Sequence, residues 1–343
     1  MDPFKRRRLG RTSLELPQLG LGGASLGNIF EAIPDAQSDA TLAAAWDAGI
    51  RLYDTSPWYG RGLSELRFGR GLYLKPREEV ILSTKVGRIL SAPADPAAFA
   101  RSERSWGLGL QFEHRHDYTY DGVMRSYEDS LQRLGMNRID VLVIHDLDLG
   151  NLGSEERVAH HLDELDKGGG MRALTSLKDA GLIKAIGAGV NHMGTIPRFL
   201  ERFDLDFFLV ALPYTLAEQP VLDEEFPLCA ERGVGVIIGG VFASGILATG
   251  PVPGARYNYA IANAEQLDRI GRMQAVCERH GVPLAAAALQ FTLHHPIVAS
   301  VIPGAFHPDH PRRNVASMQV EIPDDLWAEL KHEGLLRRDA PTP

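Results

Sequence analysis

Short runs of apolar, often β-branched residues recur along the chain, and most are followed by a stretch with helical periodicity. Residues 18–22, 50–56, 80–86, 139–145, 184–190, 206–212, 234–240 and 298–303 read as strands. Most of these runs are continuous rather than alternating, as in parallel strands covered on both faces. Between them, residues 36–48, 121–134, 171–180, 195–203, 218–232 and 263–280 read as helices. Gly49, Gly135, Gly181, Gly233 and Gly281 each stand one place beyond such a stretch, where a left-handed cap favours glycine. Eight strands alternating with helices imply a parallel sheet, and eight is the number that closes it into a (β/α)8 TIM barrel. Residues 6–18, with Gly10-Arg11-Thr12 as a turn, read as a hairpin plugging the N-terminal end of that barrel. Residues 88–120 and 147–170 leave strand C-termini and are too long for simple connectors, so both are expected to be long substrate loops. No repeat or linker interrupts the chain, and residues 1–343 are expected to form one barrel domain.

Composition removes several classes of function. A net charge of −8 argues against nucleic acid as a general partner. No run approaches the roughly 18 apolar residues of a membrane span. Lys5-Arg6-Arg7-Arg8 is not followed by an apolar stretch, so an export signal is not expected and a cytoplasmic location is. The two cysteines, Cys229 and Cys277, lie in helix-like stretches without metal-ligand spacing and read as small core residues. His114/His116, His160/His161 and His294/His295 have no carboxylate or thiolate at ligand spacing, and read as solvated or capping residues rather than metal ligands. Residues 67–70 and Arg312-Arg313 read as solvated basic faces. Oligomeric state is open.

The candidate chemistry lies at the C-terminal ends of consecutive strands. Asp54 follows Ile50-Arg51-Leu52-Tyr53, with Tyr59 five positions later; Lys85 and His145 end the next two runs. In a barrel these ends meet at one mouth. A phenol is a poor acid or base at neutral pH. A buried ammonium beside it is expected to lower its pKa, with a carboxylate orienting that ammonium. A histidine at the next strand end can hydrogen-bond the substrate oxygen. Together they make a metal-free proton shuttle suited to hydride transfer.

Leu52-Tyr53-Asp54-Thr55-Ser56-Pro57-Trp58-Tyr59-Gly60, with Ser64-Glu65 after it, resembles the signature of the aldo-keto reductases. Ser83-Thr84-Lys85-Val86-Gly87 and Asp140-Val141-Leu142-Val143-Ile144-His145-Asp146 resemble that family's other two active-site motifs. The resemblance covers essentially the whole chain. It implies Tyr59 as general acid/base, Lys85 and Asp54 as its tuning pair and His145 as the substrate orienter; Trp58 reads as a pocket wall or, nearly as readily, a core tryptophan. It also implies a nicotinamide cofactor, with Asn191 of Gly187-Ala188-Gly189-Val190-Asn191 at the carboxamide. Further cofactor contacts are implied at Gly23, Gly240, Phe242, Ser244, Pro303, Gly304, Arg313 and Asn314. Ala211 stands where the family usually offers glutamine. Gly239 stands where it usually stacks a tyrosine, a role Phe242 is expected to take.

Gly304, Ala305 and His310 stand where members that bind NADP usually place Lys, Ser or Thr, and Arg. Without fixed cations a 2′-phosphate loses its charge-assisted contacts, so NAD is expected, with NADP open through Arg312 or Arg313. The segments 229–240 and 326–331 resemble those of aldose 1-dehydrogenases of the D-threo-aldose, L-fucose and L-galactose types, and pyridoxal 4-dehydrogenase is similar. That resemblance implies oxidation of a cyclic hemiacetal, a sugar or pyridoxal, to a lactone. The alternatives are a general aldehyde or ketone reductase and a non-catalytic nicotinamide-sensing module.

Overall fold

The computed structural model describes residues 1–102, 106 and 109–343. All eight apolar runs contain strands of one sheet: β1 (Leu21–Gly22), β2 (Leu52–Asp54), β3 (Ile81–Val86), β4 (Val141–Ile144), β5 (Ala185–Val190), β6 (Phe207–Val210), β7 (Gly235–Ile238) and β8 (Val298–Val301). They pair in parallel and in chain order from β1 to β8. Bridges between Leu19 and Val301 and between Gly22 and Gly304 join the last strand to the first and close the barrel. The Gly20 N–H donates to Val301 O at 2.8 Å, and the Val301 N–H to Gln18 O at 2.9 Å.

Two apolar layers hold this wall. Inward-facing Leu52, Ile81, Val141, Val143, Ala185, Phe207, Leu209, Ile237 and Ala299 fill the barrel, and Leu9, Leu14 and Leu16 join them from below. The three leucines belong to the expected hairpin, in which Arg6–Arg8 pairs antiparallel with Glu15–Pro17. Its turn residue Gly10 has φ 53°, and a Cβ there would meet Asp206 O at 2.5 Å, so only glycine lets the turn lie against the strand ends. The larger second layer lies between sheet and helices.

Helices Asp35–Asp47, Tyr120–Leu134, Gly170–Asp179, Thr195–Leu200 and Ala264–Arg279 fall where periodicity placed them. The 218–232 stretch is broken: Pro220–Leu222 makes a single turn, Glu224 is not helical, and Glu225–Glu231 resumes. Helices Leu63–Leu72 and Leu284–Thr292 carry weaker signals. The first holds two glycines; a Cβ on Gly69 would meet Leu134 O at 2.5 Å, so the glycine permits close helix packing. The second is buried over almost its whole surface and has no polar face to reveal a period.

Three expectations need correction. Residues 147–170 form no long loop: Leu149–Leu152 and Glu155–Asp166 are helices, each N-capped by a side chain, Asp148 on Asn151 N and Ser154 on Arg157 N. Residues 88–120 contain a hairpin, Arg88–Ser91 against Glu113–His116, and a helix at Pro96–Ser102; residues 103–105 and 107–108 of that expected loop lie outside the described residues. Arg67 is also not solvated. It is 4% exposed and donates to Asp35, Asn28 and the Leu26 and Ile33 carbonyls, tying helix Leu63–Leu72 to the loop after β1. Among the described residues, no helix is long and apolar enough to cross a membrane.

Candidate active site

Tyr59, Lys85 and His145 line one cavity of about 170 Å³ at the mouth of the barrel, and Asp54 stands behind it, bonded to Lys85. Asp54 is the last residue of β2 and Lys85 the fifth of β3. Pairing Asp54 with Ser83 sets the two side chains within reach. Lys85 Nζ donates to Asp54 Oδ2 at 2.7 Å and to Thr55 O at 2.8 Å, while Ser83 Oγ donates to Asp54 Oδ1 at 2.8 Å. Both partners of this ion pair are almost wholly buried. Such a pair survives only when its hydrogen bonds are nearly all satisfied, as they are here. An ammonium carries three donors, and two are spent on this scaffold.

Tyr59 follows in the turn after β2. The Lys85 ammonium lies over its ring, 4.5 Å from the centroid. His145, at the end of β4, meets the same ring edge-on at 5.8 Å. Its Nδ1 is 3.1 Å from Ser56 Oγ, and the Tyr118 hydroxyl donates to its carbonyl at 2.5 Å. Burial holds the imidazole well below its ordinary pKa, with the cations Lys85 and Arg88 adding to the shift, so His145 is neutral.

The phenol departs from expectation. Burial pushes Tyr59 well above its ordinary value, and the Asp54 and Asp146 carboxylates push it further. Lys85 sits over the ring and makes no hydrogen bond to the hydroxyl, so desolvation wins over the ammonium.

The rest of the cavity wall has two characters. Trp58 and Trp106 both line the cavity and cross edge-on at 5.9 Å, and Trp58 also packs on His114 and under the Arg88 guanidinium. Gly189, Val190, Leu209 and Ala211 give a small apolar surface beside the Asn191 amide. A Cβ on Gly189 would meet nothing closer than 3.7 Å, whereas one on Gly187 would meet the Phe207 ring at 2.5 Å. Gly187 is therefore required by packing, while Gly189 leaves a shallow cradle. A flat, amide-bearing ring fits that cradle and donor set, which is the chemistry of a nicotinamide.

The other expected cofactor residues are more scattered. Ser244 lines a neighbouring cavity of about 300 Å³, and Ile29 is common to both cavities. Ser244 has φ 66° and accepts from the Tyr259 N–H at 2.8 Å. Tyr259 reaches the first cavity and Phe242 does not line it; Phe242 packs against the outer core. Gly23 and Gly240 are explained by close packing, on Phe68 and on Ala211 O. Pro303 and Gly304 sit beside β1 through the barrel-closing bonds, Asn314 is buried and Arg313 exposed.

The sequence reading missed Arg88, Asp146 and Tyr259. Arg88 donates to Asp146 at 2.8 Å in a buried pair at the cavity edge. Asp146 was visible inside the quoted motif, but its backbone twist was not. The metal reading of His160/His161 also needs amendment, because Glu164 does bring a carboxylate to both imidazoles. One turn of helix Glu155–Asp166 sets that spacing. Cys229 and Cys277 are buried, and burial pushes both thiols up to about 12.

Residues 18–333 match the model of the aldo/keto reductase family. The chain is 43% identical to a pyridoxal 4-dehydrogenase from Microbacterium luteolum, over 97% of this chain and 98% of that protein. It is 41% identical to a D-threo-aldose 1-dehydrogenase from a Pseudomonas species, over 96% of each. Among solved structures, an aldo-keto reductase from Bacillus halodurans superposes with a TM-score of 0.73 at 25% identity, over 97% of both chains. With barrel, mouth residues and full-length relatives in agreement, the chain belongs to the aldo/keto reductase family.

Proposed function

We propose that the protein oxidises a cyclic hemiacetal, a free aldose in the first instance, to its lactone with NAD. The observation that carries this reading is the buried Asp54–Lys85–Tyr59 arrangement, with neutral His145 sharing its cavity. The kind of substrate follows from the relatives' names, one acting on an aldose at C1 and one on pyridoxal, both of which form cyclic hemiacetals.

In this reading Tyr59 Oη takes the proton of the anomeric hydroxyl as the carbon is oxidised. Lys85 keeps one donor beyond those given to Asp54 and Thr55, and that donor stabilises the phenolate when it forms. Asp54 fixes the ammonium. His145, neutral and held through Nδ1 by Ser56, offers Nε2–H to the substrate oxygen. Gly189, Ala211 and Asn191 would hold the nicotinamide, which when bound supplies the acceptor for the hydrogen leaving the carbon. Trp58 and Trp106 exclude water from one side of the cavity.

NAD rather than NADP fits the adenosine end. Gly304 lies against Ser25 Oγ, Ala305 is buried, and His310 packs edge-on against Phe306 at 4.7 Å with its pKa lowered by burial. Arg312 and Arg313 are exposed on helix Asp309–Gln319. In the neighbouring cavity Arg256 is laid over Phe30. The test is reduced-cofactor formation across a panel of free aldoses and pyridoxal with each dinucleotide. Oxidation of aldoses with a higher kcat/KM for NAD supports the reading; activity confined to NADPH-driven reduction of simple aldehydes overturns it.

A further inference from the structure

The four-residue relay leaves the next residue in the chain, Asp146, without a role. Its backbone has φ 53°, a left-handed conformation that is costly for a residue with a Cβ and that persists where the surroundings impose it. Here Arg88 anchors the side chain. The guanidinium donates to Asp146 Oδ2 at 2.8 Å, both side chains are less than a tenth exposed, and Arg88 is itself clamped over the Trp58 ring at 4.3 Å. One carboxylate oxygen is thereby taken. The other, Oδ1, makes no hydrogen bond among the described residues, although Asp146 lines the cavity that also holds Tyr59 and His145. Oδ1 lies 3.4 Å from His145 Nε2, the atom assigned to the reacting oxygen.

That spacing matches a diol. Two oxygens on neighbouring carbons in a gauche arrangement lie about as far apart as two hydrogen-bonded oxygens, about 2.8 Å. An oxygen held by His145 Nε2 therefore places a hydroxyl on the adjoining carbon beside Asp146 Oδ1. An ionised carboxylate only accepts, so it distinguishes a hydroxyl donor from an ether, a carbonyl or a bare methylene.

We propose that Asp146 is a substrate-binding residue that accepts the hydroxyl on the carbon next to the reacting one, with Arg88 as its positioning partner. The proposal rests on the hemiacetal reading above and sharpens it: the site selects 2-hydroxy hemiacetals of the aldose type. In pyridoxal hemiacetal the carbon adjoining the reacting one bears no hydroxyl, so pyridoxal forgoes this contact.

The test compares the aldose with the highest kcat/KM in the panel against its 2-deoxy counterpart, on the wild-type enzyme and on Asp146→Asn. The wild type is expected to prefer the parent sugar by about ten- to a hundredfold in kcat/KM, as for a hydrogen bond to a charged acceptor. In Asp146→Asn that preference falls to within about threefold, because the charged acceptor is gone. The wild-type comparison needs no variant, so poor folding of Asp146→Asn leaves it decisive. Equal oxidation of both sugars by the wild type, or full discrimination in Asp146→Asn, overturns the proposal while leaving the hemiacetal reaction standing. If no hemiacetal is oxidised at all, the reading of the reaction falls and the role of Asp146 falls with it.

Discussion

Each end of the barrel buries a carboxylate against a cation, and the two arrangements serve opposite ends. At the bottom, Asp140 precedes β4 and is 1% exposed. It accepts from Arg77 at 2.8 Å and from the Leu82 N–H at 3.0 Å, with Lys184 Nζ 3.2 Å from its other oxygen. Asp206, two strands on, repeats the device, binding Lys178 through both oxygens and the Ile186 N–H. Each latches one strand to its neighbour and lines neither of the two cavities described above. At the mouth, Asp54 and Asp146 hold Lys85 and Arg88 just as tightly, yet each pair borders open space beside Tyr59 and His145. A buried ion pair by itself identifies nothing. What separates a site from a strut is a polar atom left uncommitted towards a cavity: the third Lys85 donor, the Tyr59 hydroxyl, Asp146 Oδ1.

This contrast can be broken by substitution at either end. The largest effect is expected at the mouth. Tyr59→Phe removes the proposed proton acceptor without emptying the cavity, so turnover should fall by at least about 10²- to 10⁴-fold while reduced-cofactor binding, followed by fluorescence, stays near wild type. A variant that turns over normally would remove Tyr59 from the relay.

Lys85→Met should come next, and its signature is a pH profile. Burial raises the Tyr59 phenol above its ordinary value, and the proposed oxidation needs the phenolate, so the wild-type oxidation rate should climb with pH through the neutral and into the alkaline range. Removing the ammonium raises the phenol further, moving that climb to still higher pH or abolishing it. Because burial keeps His145 neutral, no acid limb should appear near its ordinary pKa. A variant profile superimposable on the wild type would exclude Lys85 as the tuner.

Asp140→Ala probes the other end. Removing one partner of a buried pair leaves the remaining charge and the Leu82 N–H uncompensated, a loss of about 3 kcal/mol in denaturant unfolding, the low side of the usual range because Arg77 is partly exposed. At a temperature where the variant is folded, kcat should stay near wild type. A large fall in kcat with unchanged stability would place Asp140 in the chemistry and erase the distinction drawn here.

The same division marks what was legible beforehand. Strands buried on both faces announce themselves as continuous apolar runs, and all eight were found that way. Asp54, Tyr59, Lys85 and His145 were legible because residue type coincides with strand end. Helix Leu63–Leu72 was obscured by its two glycines and by Arg67, an arginine whose burial depends on carbonyls 34 and 41 residues away. Asp146 and Tyr259 were hidden because both depend on left-handed backbone, a property of tertiary packing rather than of residue type. The Tyr59 shift runs opposite to the motif-based expectation because desolvation is invisible in a motif.

The central claim is that the hydrogen leaves the carbon bearing the hemiacetal hydroxyl. It is tested most directly by oxidising an aldose deuterated at C1 and analysing the reduced cofactor by mass spectrometry. Deuterium is expected in the NADH, with a primary isotope effect wherever hydrogen transfer limits turnover. Label-free NADH from that sugar, or brisk reduction of simple aldehydes with no oxidation of any hemiacetal, would contradict it.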